Sequence, residues 1–234
     1  MTFAEHLKSL GFSGIRVFGD SISAGFNASH PHLAWPALFA AELSALTLRN
    51  HAIPGTVLQA SPLADGRARA DNGVSRYAGA LLDASHRDAI LILYGYNDAR
   101  YMAAPDSMNA KSFSRDYANM LERLIEAGHA ERLAIGSPPY IPDSGFSVGS
   151  AGFTGQTRQG FEVYVRAVRE LAQAFRIFYA PVYEQMKACG DGALASPDLT
   201  HPNDAGHRVI CDAFRHAIIH EKPALAPGET LGRA

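Results

Sequence analysis

Short segments rich in apolar residues alternate along this chain with longer segments whose apolar residues recur at helical spacing. The short segments predict strands at 15–18, 46–53, 89–94, 133–135 and 177–179. The longer ones predict helices over 35–46, 74–82, 112–127, 156–175 and 204–220. The run 89–94, AILILY, is apolar on both faces, as expected for a central strand of a parallel sheet.

This alternation predicts the fold class. Consecutive strands separated by helices are joined by crossovers, so they lie parallel with helices on both faces. We therefore predict an α/β protein, a three-layer α/β/α sandwich with a central parallel sheet of about five strands. We expect residues 1–221 to form a single domain and the tail 222–234, which contains two prolines, to be extended.

Composition narrows the range of partners. The 234 residues include 21 basic and 23 acidic ones, with a formal net charge of −2 and no long run of either sign. This balance argues against nucleic acid and membranes as partners. The N-terminal segment carries charged residues and no sustained apolar stretch, so we expect a cytoplasmic protein without signal peptide or anchor. Cys189 and Cys211 lie far apart, which excludes a disulfide framework and a thiolate zinc site.

Small polar residues stand where the first three strands end. GDSISAG (19–25) follows the first strand, NHAIPG (50–55) the second and GYND (95–98) the third, and DLTHPN (198–203) precedes the last helix. Ligands of parallel sheets bind beyond the carboxyl ends of the strands, so we expect these four blocks to converge on one crevice. The segment 144–155, rich in glycine and serine, is expected to be a mobile loop near the same edge.

The residue types in these blocks suit acyl transfer. A serine hydroxyl becomes a nucleophile when a histidine accepts its proton and a carboxylate orients the histidine. Ser21, His201 and Asp198 are the candidates, and the last two are close enough in sequence to share one loop. A tetrahedral intermediate also needs hydrogen-bond donors, which the Ser21 amide, an amide of block 50–55 and the Asn97 side chain could supply.

The four blocks, in this order, resemble those of the SGNH hydrolases, also called GDSL esterases and lipases, and the resemblance covers most of the chain. It implies a flavodoxin-like fold, a triad of Ser21, His201 and Asp198, and an oxyanion hole formed by the amides of Ser21 and Ala52 and the side chain of Asn97. Ala52 departs from the family pattern, which usually has glycine there. If that position required a positive φ, alanine would store roughly 1 kcal/mol of strain.

Simpler structural explanations exist for several of these residues. A serine after a strand can cap a helix, an Asn-Asp pair can form an Asx turn, and a histidine before proline can be an exposed loop residue. The presence of all four blocks favours function, except at Asp98, which we expect to be structural. Arg100 could meet a substrate anion or point into solvent. Histidines 30, 32, 216 and 220 lack acidic or cysteine partners nearby, so we expect no metal site.

We therefore predict a serine esterase that acts on small-molecule esters with short acyl groups, acetyl to butyryl, and carbohydrate O-acetyl groups are candidate substrates. The absence of a long apolar lid segment supports the short acyl group, and the chemistry requires no cofactor. An acyl-CoA thioesterase, a lysophospholipase or an acyltransferase could use the same residues. A carbohydrate-binding module without activity would not need all of them. The sequence does not determine the oligomeric state.

Overall fold

A single parallel sheet forms the centre of the protein. The computed structural model describes residues 1–62, 66–67 and 69–219, so the tail 222–234 and the predicted domain boundary at 221 lie outside the described residues. The strands are β1 (Gly14–Gly19), β2 (Thr47–Asn50), β3 (Asp88–Leu93), β4 (Leu133–Gly136) and β5 (Phe178–Ala180). They lie in the order β2-β1-β3-β4-β5, which confirms the predicted flavodoxin-like sheet.

Helices cover both faces of this sheet. They are α1 (Phe3–Leu10), α2 (Trp35–Glu42), α3 (Gly73–Tyr77), α4 (Tyr96–Arg100), α5 (Ala110–Glu126), α6 (Arg158–Phe175), α7 (Val182–Ala188) and α8 (Asp204–Arg215). Helices α1 and α2 both contact α8, whereas α5 contacts α3 and α6 in a second group, so the predicted three-layer sandwich is confirmed. Within the described ranges no helix has the length and apolar character needed to cross a membrane.

Three helices were not predicted, α2 and α8 end before their predicted limits, and the predicted helix 74–82 is α3 followed by a π-helical turn, Ala78–Leu82. The missed α4 and α7 span five and seven residues, too few for an apolar period to stand out. The missed α1 begins with a Thr2–Glu5 capping box, a signal that the sequence does contain. Helix α2 stops at Glu42 because Ser44 takes a left-handed φ of 54° before β2. Helix α8 stops at Arg215 because the chain then becomes extended, and Ile218 forms an antiparallel bridge with Tyr179 of β5.

The strand order decides where a ligand can bind. Strand β1 pairs with β2 on one side and with β3 on the other, so successive crossovers diverge there and leave a crevice at the carboxyl ends of β1 and β3. Both strands are buried along their whole length. Rigid, fully packed strands therefore support the loops that carry Ser21 and Asn97.

Candidate active site

Ser21 lies directly after β1, where the chain turns sharply away from the sheet. At Gly19 a Cβ would lie 2.7 Å from the Leu93 carbonyl oxygen of β3, so only glycine fits at the start of this turn. The buried Asp20 stabilises the turn, because its Oδ1 accepts a hydrogen bond from the Ile22 amide at 3.0 Å. The turn presents Ser21 at the wall of a cavity.

His201 and Asp198 are held by one tight loop before α8. Leu199 takes a left-handed φ of 60°, which folds the chain back on itself. Oδ1 of Asp198 then accepts hydrogen bonds from the amides of Thr200 and His201, both at 2.9 Å. This is the arrangement of an Asx turn. Asn203 caps the following helix, and the loop is thereby tied at both ends.

Ser21, His201 and Asp198 form one hydrogen-bonded chain. Ser21 Oγ lies 2.9 Å from His201 Nε2, and His201 Nδ1 lies 2.7 Å from Asp198 Oδ2. Partial burial raises the pKa of Asp198, but the amides of Thr200 and His201 and the His201 ring outweigh it and lower the pKa to about 2. The ionised carboxylate can only accept, so Nδ1 carries the proton and the neutral imidazole turns its Nε2 lone pair towards Ser21.

Asn97, in the block GYND after β3, lines the same cavity as Ser21. It is buried on the short helix α4, and its Nδ2 donates to the Thr56 carbonyl at 2.9 Å. One amide hydrogen remains for another acceptor. The neighbouring Asp98 accepts from the amides of Leu58 and Gln59 instead, and burial raises its pKa to about 6 against the effect of these amides. Asp98 is therefore structural, as expected.

Ala52 does not lie where the family resemblance placed it. Its amide donates to Asn50 Oδ1 at 3.1 Å, and the residue lines a separate depression together with His51 and Arg76. Its φ is not positive, so the strain considered for alanine does not arise. The prediction that Ala52 supplies an oxyanion donor is thus corrected, because the Ala52 amide is already bonded to the side chain of Asn50.

Gly55 occupies the place at the cavity that Ala52 was predicted to fill. The turn from Ile53 to Thr56 has Pro54 second and Gly55 third, with a glycine φ of 75°, the pattern of a type II turn. Among the described residues, the amides of Gly55 and Ser21 have no hydrogen-bond partner. The Pro-Gly pair in NHAIPG was the sequence signal that could have identified this position.

Asn27 is a second residue that the sequence analysis did not identify. It is exposed and takes a left-handed φ of 62°, which asparagine tolerates better than most residues. Its Nδ2 donates to Oδ2 of Asp198 at 2.7 Å. No local pattern could reveal this contact, because the partner lies 171 positions further along the chain.

The cavity at Ser21 has a volume of about 210 Å³, below the range typical of pockets for larger ligands. Phe26 forms part of its rim, with its ring centroid 5.3 Å from that of His201. The Gly- and Ser-rich segment 144–155 also reaches the cavity. The lining residues are Ser21, Phe26, Pro54, Gly55, Tyr96, Asn97, Arg100, Gly149, Ser150, Phe153, Thr200 and His201.

Among the described residues that line the cavity, no set of side chains would bind a metal ion. Within the described part of the chain, one cluster has ligand atoms close enough together: Glu42, Cys211 and Asp212 on α2 and α8. Glu42 is already paired with Arg208 and Arg215, so its charge is balanced by protein groups.

Comparisons with known proteins agree with this fold. The sequence model of the GDSL-like lipase/acylhydrolase family matches residues 17–209. The search of curated proteins found no match. Similar solved structures include the lipase/acylhydrolase from Enterococcus faecalis, with a TM-score of 0.66 and 18% identity over 90% of this chain and 100% of the other. Another is Axe2, an acetylxylan esterase from Geobacillus stearothermophilus, with a TM-score of 0.62 and 17% identity over 87% and 94%. At such identities the likeness shows the fold.

Proposed function

The chain belongs to the GDSL-like lipase/acylhydrolase family and is a carboxylic ester hydrolase, and we propose that it cleaves small esters of short acyl groups through Ser21, His201 and Asp198. The observation that carries the proposal is the hydrogen-bonded chain of these three side chains, which ends at the wall of a cavity. Separations of 2.9 and 2.7 Å suit proton transfer without rearrangement.

In the first half of the reaction Ser21 Oγ attacks the carbonyl carbon of the ester while His201 Nε2 accepts the hydroxyl proton. The carbonyl oxygen gains negative charge and needs hydrogen-bond donors fixed in advance. The free amides of Ser21 and Gly55 and the remaining amide hydrogen of Asn97 are the donors that we assign to it. The ionised Asp198 stabilises the imidazolium that forms.

This first intermediate collapses when His201 donates its proton to the leaving alcohol oxygen, and the acyl group remains on Ser21. In the second half water attacks the acyl carbon with His201 again as base. Collapse of the second intermediate releases the carboxylic acid and returns the proton to Ser21. No step requires a cofactor.

The size of the cavity supports a short acyl group. A volume of about 210 Å³ is closer to the size of an acetyl to butyryl group with part of the alcohol than to that of a fatty acyl chain. The acetylxylan esterase among the similar structures makes carbohydrate O-acetyl groups reasonable candidates. Acyl-CoA thioesterase and acyltransferase activities use the same steps with another leaving group or acceptor, so acyl-CoA substrates and added alcohols would reveal them.

The first experiment compares p-nitrophenyl acetate hydrolysis by the wild type, Ser21→Ala and Ser23→Ala, with fluorophosphonate labelling followed by mass spectrometry. Ser23 is a matched control because it is fully buried and does not line the cavity. We expect turnover and a label on Ser21 in the wild type and in Ser23→Ala, and neither in Ser21→Ala. Full activity of Ser21→Ala would refute the proposal.

A further inference from the structure

A buried arginine lines the cavity beside the proposed reaction centre. Arg100 follows Asn97 by three residues on α4, so both side chains project from the same face of the helix. Arg100 is only 5% exposed, which rules out the alternative that its side chain points into solvent. The guanidinium carbon lies 5.2 Å from the centre of the Tyr96 ring.

Within the described ranges of the chain, every acceptor bound by Arg100 is uncharged. Nη1 donates to the Tyr96 hydroxyl at 3.2 Å, and Nη2 donates to the carbonyls of Gly145, at 3.2 Å, and Val148. The buried Nε has no partner. A guanidinium has five N–H groups, so Nε–H and one Nη1 hydrogen remain undonated.

The charge of Arg100 is therefore not balanced by an adjacent carboxylate. Arg16, equally buried, shows the usual solution: it pairs with Asp83 at 2.6 Å and with Asp88 at 3.2 Å. Asp20 is close enough to feel Arg100, but burial raises its pKa to about 7, so it is a weak counter-charge at neutral pH. Proteins bury a cation without a partner only rarely, because desolvation is costly.

We propose that Arg100 binds an anionic group of the substrate, a carboxylate, and that the natural ester is therefore acidic; this inference rests on the proposed esterase function. The planar guanidinium suits a carboxylate, and the small cavity keeps that group within a few bonds of the ester carbonyl.

The carboxylate could belong to the alcohol part or to the acyl part of the ester, and matched substrates separate the two. For the alcohol part the pair is 4-acetoxybenzoate and the neutral 4-acetoxybenzamide. For the acyl part it is mono-4-nitrophenyl succinate and 4-nitrophenyl butanoate, with spontaneous cleavage subtracted by using Ser21→Ala. In each pair the ratio of kcat/KM, anionic over neutral, is the quantity compared.

We expect the wild type to favour the anionic ester of one pair about tenfold or more, the effect of a charge-assisted hydrogen bond. Arg100→Gln should lower this ratio about tenfold or more, and Arg100→Lys should keep part of it. A wild-type ratio near one in both pairs overturns the inference, as does a ratio unchanged in Arg100→Gln. The wild-type ratio alone remains decisive if Arg100→Gln does not fold.

Arg158→Gln is the matched control. Arg100 contacts the segment 144–155 through the carbonyls of Gly145 and Val148. Arg158 holds the start of this segment by an ion pair with Asp143, at 2.7 Å, and a hydrogen bond to the Ile141 carbonyl, but it does not line the cavity. A loss of the ratio in this variant as well would mean that loop geometry, not the Arg100 charge, sets the preference.

If the wild type cleaves none of these esters, the proposed function fails and calorimetry tests Arg100 separately. If the wild type binds succinate or 4-hydroxybenzoate and Arg100→Gln does not, the proposal that Arg100 binds a carboxylate stands without the esterase function. If the wild type binds neither compound, that proposal fails as well.

Discussion

Asn27 Nδ2 donates to Asp198 Oδ2 at 2.7 Å, on the same oxygen that accepts the proton of His201 Nδ1. With the two backbone amides on Oδ1, all four hydrogen bonds hold the carboxylate in one orientation. Asn27 thus acts on the reaction through Asp198 and is a positioning residue. The loop after β1 supplies both the proposed nucleophile and the residue that orients the acid.

We predict that Asn27→Gly lowers kcat about tenfold, because glycine keeps the positive φ and removes only the donor. Loss of this donor also leaves more negative charge on the Asp198 carboxylate to stabilise the protonated form of His201, so the acidic side of the pH-rate profile should move to higher pH. Steady-state kinetics between pH 4 and 8, with thermal melting as a folding control, measures both effects. Wild-type kcat and an unmoved profile would show that the contact is incidental.

The stability of the protein should fall as pH rises from about 4 to 7 because of Asp20. Burial raises the pKa of Asp20 from 3.8 to about 7, so the folded state holds a proton that the unfolded chain has released in this window. The corresponding loss of unfolding free energy is roughly 4 kcal/mol at most. Urea denaturation of the wild type and of the near-isosteric Asp20→Asn should show a smaller decline in the variant, and parallel declines would contradict the assignment.

Substitutions at Gly55 and at Ala52 show which of the two residues supplies the oxyanion donor. Gly55 has a φ of 75°, and an alanine held there would cost about 1–2 kcal/mol of strain. The Gly55→Ala variant should therefore relax to a different turn, in which the amide of residue 55 points away from the cavity. We expect Gly55→Ala to lower kcat about tenfold or more, since one oxyanion donor is commonly worth 100-fold or more. Ala52→Gly should change kcat less than about threefold. The reverse order in p-nitrophenyl acetate kinetics would restore Ala52 as the donor.

Acyl chain length should have a strong effect on turnover. A cavity of about 210 Å³ is too small to bury a ten-carbon chain fully, so we expect kcat/KM to fall from p-nitrophenyl acetate and butyrate to octanoate and decanoate. A series measured below micelle-forming concentrations tests this. Faster turnover with decanoate than with acetate would contradict the short-chain assignment.

Much of the fold was predictable from local patterns. The five strands and the longer helices follow from apolar period, and parallel pairing follows from the helices between strands, so the sandwich and the edge that carries the four blocks could be inferred without coordinates. Short elements such as α4 escaped because five residues carry too little periodic signal.

The sequence alone was enough to nominate Ser21, His201, Asp198 and Asn97, because acyl transfer needs these residue types and they follow strand ends or precede a helix. The Pro-Gly pair of NHAIPG indicates a turn, but which residue of this block lines the cavity depends on how the turn packs, and there Gly55 replaced Ala52. The sequence could not reveal that Asn27 reaches Asp198 or that Arg100 is buried without a carboxylate. Contacts between distant residues and the exclusion of water arise only when the loops close over the sheet edge, so the tertiary structure decided them.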